Sequence, residues 1–180
     1  MIPRRRLPAS TTNTDSNHPI QPPGFLTRAA MRIASTRFGG WVFTTFTPPI
    51  DKACLKLSGG RRSLAGLGAP TLLLTTIGRR SGLPRQTPLL YLPRGADQLA
   101  IIGSRGGRTG HAAWYLNIQA NANVQVTLNG HTQRYTAEIL SGDAYQALWE
   151  DFVAFNPGFV RYQKRLDRTI PLLILTPVQE

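Results

Sequence analysis

Two glycine-framed turns hold the residues of this sequence that could do chemistry. The first is Gly78-Arg79-Arg80-Ser81-Gly82, extended by Leu83, Pro84 and Arg85; the second is Ser104-Arg105-Gly106-Gly107-Arg108. Each follows an apolar run, at residues 72–76 and 99–103. Glycine lets a backbone approach a ligand closely and adopt positive φ, and backbone N–H, guanidinium and hydroxyl groups are all donors, so such turns suit an anion. Between Arg79 and Arg108 there are six arginines and a single acid, Asp97. One arginine turn alone is ordinarily just solvated. Two of them ending strands of one sheet, with Pro84-Arg85 between, favour a ligand.

Other chemistries fail on spacing. A nucleotide-hydrolysing P-loop needs glycine, four residues, then Gly-Lys-Ser/Thr, and residues 78–82 have neither that spacing nor a lysine. The dinucleotide fingerprint is likewise missing. Ser104 and His111 are close in sequence, but no acid lies between Asp97 and Glu138 to complete a triad. The three histidines are His18, His111 and His131, and Cys54 is the only cysteine. That leaves no intramolecular disulfide and no ligand set for a catalytic metal. An anion cleft beside aromatics without a strong base either only binds or relies on a cofactor for reactivity. A phosphate-bearing redox cofactor would use the arginines for its anionic tail, an apolar wall for its ring, and Ser104 or a tyrosine hydroxyl for orientation.

The elements that must position these turns can be read from periodicity. With 180 residues and 41% hydrophobic content, the chain suits one domain with an N-terminal extension. Residues 1–23 are Pro, Ser, Thr and Asn rich and read as a disordered basic leader. Residues 24–62 read as a helical extension: Phe25, Leu26, Ala29, Ala30, Ile33 and Ala34 share one face, with Arg28 and Arg32 on another. Ten Lys or Arg against two acids in the first 62 residues would let this segment lie on an anionic membrane, or simply be solvated while it packs on its own domain. The start Arg4-Arg5-Arg6 leads into polar residues and not an apolar stretch, so a cytoplasmic setting is expected, with the inner membrane face as a peripheral location.

The remaining residues, 63–180, read as six mostly antiparallel strands. These are 72–76, 88–92, 99–103, 124–128, 132–139 and 170–175, with a turn at 93–97 and the hairpin signal Asn129-Gly130. Helices are expected at 111–120, where Trp114, Tyr115 and Ile118 share a core face, and after Ser141, where Tyr145, Leu148, Trp149 and Phe152 do. Asn156-Pro157-Gly158 breaks the second helix, and Phe159, Tyr162 and Gln163 follow on a short segment. The expected class is α+β, a small barrel closed by its last strand. A net charge of +12 predicts anionic partners, yet no recognition helix or base-stacking aromatic motif speaks for specific nucleic-acid binding.

Five segments then carry a family resemblance: LLLTT-x-GRRSG-x-PR-x-TPL, GSRGG, AAWYLNIQAN, NPGFVRYQ and RTIP. In this order the chain, from about residue 71 to 177, resembles the deazaflavin-dependent nitroreductase family, whose members use coenzyme F420 in a split β-barrel. Arg61-Arg62 after Gly59-Gly60 is similar to a motif that often precedes the domain in that family. The resemblance implies an oxidoreductase passing a hydride from reduced F420 to a quinone, enone or nitro compound. It implies a cofactor pocket lined by Leu73, Leu74 and Thr75 and by Arg79, Arg80, Ser81, Gly82, Leu83 and Pro84, with Arg80 and Arg85 on the phosphate and oligoglutamate tail. Ile101, Ile102, Gly103, Ser104 and Arg105 would run under the ring, with Ser104 near the reacting carbon or the acceptor oxygen. Trp114, Tyr115 and Asn117 would pack and orient beside the cofactor; Trp114, Phe159 and Tyr162 would bound the acceptor, and Tyr162 or water would give a proton. Nitroreductases of this type often carry tyrosines where this chain has Asn156 and Phe159, a departure that counts against nitroimidazole reduction and leaves a quinone or enone open. FMN as cofactor, and a non-catalytic carrier of the same fold, are the alternatives; the state is monomer or homodimer.

Overall fold

The computed structural model describes residues 70–179. The leader at 1–23, the helical extension at 24–62, His18 and Cys54 lie outside the described residues, as does the start of the domain expected at 63. Six strands are present: β1 (Thr71–Ile77), β2 (Pro84–Arg94), β3 (Gln98–Ile102), β4 (Asn123–Leu128), β5 (His131–Ile139) and β6 (Leu172–Pro177). Three helices join them: α1 (Ala113–Ala120), α2 (Gly142–Phe155) and α3 (Gly158–Gln163). The strands close into a barrel in the order β1-β2-β3-β6-β5-β4. Every pairing is antiparallel.

The strands that looked uniformly apolar in sequence are covered on both faces. In β3, Leu99 and Ile101 point into the barrel, while Ala100 and Ile102 face an outer layer; in β6, Leu173 and Leu175 point in and Leu172 out. The interior also takes Leu72 and Leu74 of β1, Val124 and Val126 of β4, and Trp114, Tyr115 and Ile118 from α1. The outer layer is built by Leu148, Phe152 and Phe155 of α2 with Phe159 and Tyr162 of α3. Burying both faces of a strand removes the period-2 signal and leaves a plain apolar run. Helix α2 is further tied to β2 by an ion pair between Arg94 and Asp151.

Asn129-Gly130 forms the β4–β5 hairpin with both residues at positive φ, 53° and 87°, as a tight two-residue turn requires. Ser141 stands at the start of α2, but its side chain makes no capping bond there.

The largest departure from expectation is β2, read as 88–92 and found to span Pro84–Arg94. Pro84, Pro88 and Pro93 argue against a strand only if both backbone edges are paired. Here β1 covers β2 from Leu90 to Pro84, and β3 covers it from Tyr91 to Arg94. Among the described residues each proline therefore has a neighbouring strand on one side only. Residues 84–90 thus run past β3 with only β1 alongside. Strand β1 itself also pairs with β4 at Leu73–Thr75, so beyond that the β1–β2 hairpin continues as a short two-stranded arm, Thr76–Ile77 against Pro84–Arg85, with the first arginine turn at its tip.

Candidate functional site

The tip of the arm is closed by its own backbone. Gly78 N–H donates to the Leu83 carbonyl (2.9 Å), and the N–H groups of Ser81 and Gly82 donate to the Gly78 carbonyl (3.1 and 2.8 Å). Ser81 Oγ accepts from Leu83 N–H (3.4 Å) and from Arg85 Nη2 (3.3 Å). A Cβ at Gly78 would stand 2.7 Å from Ser81 Oγ and 3.2 Å from the Leu83 carbonyl oxygen, so glycine lets the hydroxyl fold in. Every residue from Arg79 to Arg85 is exposed. Ile77 and Leu83, 41% and 57% accessible, set apolar surface beside the guanidinium groups. No acid lies on the arm, and among the described residues Arg79, Arg80 and Arg85 form no ion pair.

The arm is held to α1 by one buried amide. Asn117 Oδ1 accepts from Arg79 N–H (3.1 Å), and Asn117 Nδ2 donates to Thr76 Oγ1 (3.0 Å). Both side chains are buried, Thr76 at 1% and Asn117 at 5% exposure. A polar pair that deep requires full hydrogen bonding, and this one uses it to fix the angle between helix and turn.

The second turn leaves β3 at Gly103, whose N–H donates to the Pro171 carbonyl (2.8 Å) just before β6. Ser104 follows half-buried. Arg105, Gly106 and Gly107 then run at φ 51°, 63° and 73°. Gly107 is required twice over: its φ is left-handed, and a Cβ would meet the Tyr162 ring at 2.7 Å. Tyr162 thus lies against the loop that carries Ser104. Burial pushes the Tyr162 hydroxyl up, outweighing the pull of Arg165 and Arg161, so it stays protonated at neutral pH.

The arginines sort into two centres. Arg79, Arg80 and Arg85 stand together on the arm, whereas the Arg105 guanidinium folds onto its own loop at the Thr109 carbonyl. Helix α1 runs between the centres, starting after the loop and reaching the arm at Asn117; from its first residue, Ala113, four residues at ~1.5 Å make that span roughly 6 Å. The remaining candidates divide by face. Leu74 and Ile101 are in the barrel interior with Trp114, Ile102 and Phe159 are in the outer layer, and Leu73 and Thr75 alternate to the outside of β1. Phe159 packs edge-on against Phe152 and Tyr162, with centroids 6.0 and 6.1 Å apart. Trp114 and Phe159 are thus buried on opposite faces of the sheet.

Three features escaped the sequence reading. Arg168 donates Nε to the Gly110 carbonyl (2.9 Å), gripping the second loop from the connection before β6. Gln163 staples that connection through the Arg168 carbonyl (2.8 Å) and Ile170 N–H (2.9 Å). A polar cavity of about 360 Å³ lies between Gln125, Thr132, Gln133, Arg134, Val178 and Gln179, next to Thr75 through the Thr75↔Gln125 pairing. The first and third join residues remote in sequence, and the Gln163 staple closes a short connection; only the NPGFVRYQ and RTIP segments carried a signal there.

A sequence profile describing the F420H(2)-dependent quinone reductases matches residues 52–177. The chain belongs to that family. An F420H(2)-dependent quinone reductase of Mycobacterium tuberculosis (strain H37Rv) is 34% identical over 110 residues, 59% of this chain and 73% of that one. A solved F420-H2 dependent reductase (FDR-A) superposes with a TM-score of 0.53 at 34% identity, over 59% of this chain and 93% of that chain. A structure described as a domain-swapped dimer gives 0.55 at 29% identity, over 71% and 98%. The F420H(2)-dependent quinone reductase family is an oxidoreductase family, and its name carries reduced F420, not FMN. The six-stranded closed barrel agrees with the split-barrel architecture expected from the sequence.

Proposed function

We propose that this chain is an oxidoreductase in which the arginine arm holds reduced F420 and an electron-poor acceptor, a quinone in the first instance, is reduced beside Ser104. The observation that carries this reading is the arm: three exposed guanidinium groups, no acid among them, and two exposed apolar side chains. That donor set fits a cofactor joining an anionic phosphate and oligoglutamate tail to a flat ring, because Arg pairs with phosphate and carboxylate in a fixed fork. When bound, F420H2 supplies a hydride.

The chain's own groups do the rest. Asn117 sets the angle of the arm against α1. Gly103 and Ser104 offer backbone and hydroxyl donors at the exit of β3. Tyr162, kept protonated by burial, is the group we assign as proton source for the reduced acceptor, acting directly or through water. A quinone that gains a hydride and a proton becomes a hydroquinone, so no metal ligand is needed, and among the described residues no cluster of three His, Cys, Asp or Glu exists. Contact with an anionic membrane through residues 25–57, a cytoplasmic location and a homodimer are further elements of this proposal. They are supported by the positive charge of the N-terminal segment and, for the dimer, by a relative described as one.

The test is to mix the purified protein with F420H2 and menadione without oxygen and follow cofactor oxidation. Turnover that falls when Arg80 or Arg85 is replaced supports the reading. Tight F420 binding without turnover on any quinone, enone or nitro acceptor would leave a carrier of the same fold.

A further inference from the structure

Among the described residues two buried polar atoms have no hydrogen-bond partner, and both belong to one cluster at the second loop. They are Nδ1 of His111 and Nη2 of Arg168. Arg168 is otherwise engaged through Nε on the Gly110 carbonyl (2.9 Å) and Nη1 on the Thr169 carbonyl (3.4 Å), so Nη2 is the donor left over. Arg105 brings a second guanidinium to the same loop: Nη1 bonds the Thr109 carbonyl, and a Cβ on Gly110 would stand 3.2 Å from it. The Tyr115 ring lies on His111 with centroids 4.7 Å apart and walls the cluster on the helix side.

Charge decides what belongs there. Among the described residues neither Arg105 nor Arg168 forms an ion pair. Burial first, then the charge of Arg105, push Arg168 below its ordinary pKa, and burial and then Arg168 do the same to His111. Each group is thus in an environment that penalises positive charge. A water could bridge the two orphaned atoms, donating to Nδ1 and accepting from Nη2, but it would leave that repulsion in place. An oxyanion satisfies both: one oxygen accepts from Arg168 Nη2, and another accepts from His111 carrying its proton on Nδ1.

We propose that Arg168, His111 and Arg105 form an oxyanion pocket, separate from the arginine arm, that takes a phosphate or carboxylate group. Its occupant is either a free anion or an acidic group on a larger ligand. The inference does not rest on the cofactor reading, because it is tested with inorganic phosphate and no deazaflavin.

The experiment is a phosphate titration of the full chain at constant ionic strength, balanced with chloride, reading the His111 ring resonances by NMR and the melting temperature. Saturable shifts with a Kd on the order of 1 mM are expected. Arg168→Gln should weaken the binding read at His111 roughly tenfold or more, since a charge-assisted bond is lost, while Arg80→Gln should leave that His111 response unchanged. Because Arg168 also holds Gly110, His111→Gln serves as a second variant, made in an Arg80→Gln/Arg85→Gln background that silences the arm and read by loss of the phosphate-induced rise in melting temperature that this background keeps. A linear, unsaturated response in the unaltered protein, or full binding retained in both variants, overturns the proposal and leaves a bridging water. Repeating the titration with tailed F420 and with its core lacking phosphate and glutamates distinguishes the sources. Displacement by the tailed form alone assigns the pocket to the cofactor's acid groups; displacement by neither assigns it to a free anion.

Discussion

Replacing Asn117 with alanine tests whether the arm is positioned by α1. The substitution removes both amide bonds and leaves Thr76 Oγ1, 1% exposed, and the part-buried Arg79 N–H without partners. An ordinary bond contributes about 0.5–1.5 kcal/mol net, and an orphaned buried group costs about 1–3 kcal/mol. The Arg79 N–H is near solvent and can hydrate, so the sum falls at the lower end, about 2–3 kcal/mol. For a domain of this size that lowers the melting temperature by roughly 5–10 °C. Thr76→Val removes only the hydroxyl and should cost ~1 kcal/mol. The two sites share a bond, so the double variant should be less destabilised than the sum of the singles by about 1 kcal/mol. Urea unfolding of the four proteins gives these numbers, and F420 titration of the same four gives the functional consequence. A loosened turn should weaken cofactor binding severalfold in Asn117→Ala and less in Thr76→Val. A cost below ~0.5 kcal/mol, or strict additivity, would show that the amide does not hold the arm and refute the reasoning.

Replacing Arg79, Arg80 or Arg85 singly by alanine should weaken F420 binding by roughly tenfold, with affinity falling steeply as salt rises, measured by titration at two ionic strengths. Tyr162→Phe should keep the fold and lower kcat for quinone reduction by roughly 100-fold, if its hydroxyl supplies the proton; an unchanged kcat would assign that step to water. Gly107→Ala combines a left-handed φ with a Cβ 2.7 Å from the Tyr162 ring, and should destabilise by about 2 kcal/mol or more in chemical unfolding. His111 faces Arg168 and Tyr115 and is held below its ordinary pKa by burial and by Arg168. The unfolded chain therefore takes up this proton first on acidification. Its contribution to stability is full above about pH 6.5 and is lost as pH falls below that value; His111→Gln should flatten that part of the melting profile, and phosphate should oppose the loss.

What could be read from the sequence was whatever depends on neighbours in the chain. Asn129-Gly130 sets its own turn and marks β4 and β5 as the strands it joins, and the apolar runs of β1, β3 and β6 mark strands whatever their order. The ordered motifs from GRRSG to RTIP brought the family with them. The arm was not legible, because a proline's cost in a strand depends on whether a second strand lies alongside. Nor was the grip of Asn117, 41 residues from Thr76: an asparagine inside an apolar helical stretch reads as a defect until its partners are known. The arginines looked like one cradle because sequence shows how many charges there are and not where each guanidinium is turned. Arg105 folding back on Thr109, and Arg168 arriving from the other side, split that cradle in two.

The prolines of β2 have one more consequence. Tyr91 N–H points to the Pro70 carbonyl on the β1 side, so by the alternation of antiparallel strands the even-numbered positions of residues 84–90 direct their amides outward. Two of these, Pro84 and Pro88, have no amide proton to offer. A foreign strand seeking to dock there finds only Gln86 and Leu90 as donors. An unguarded edge invites polymerisation; among the described residues this one stands uncovered beside a closed barrel, with half its adhesive removed.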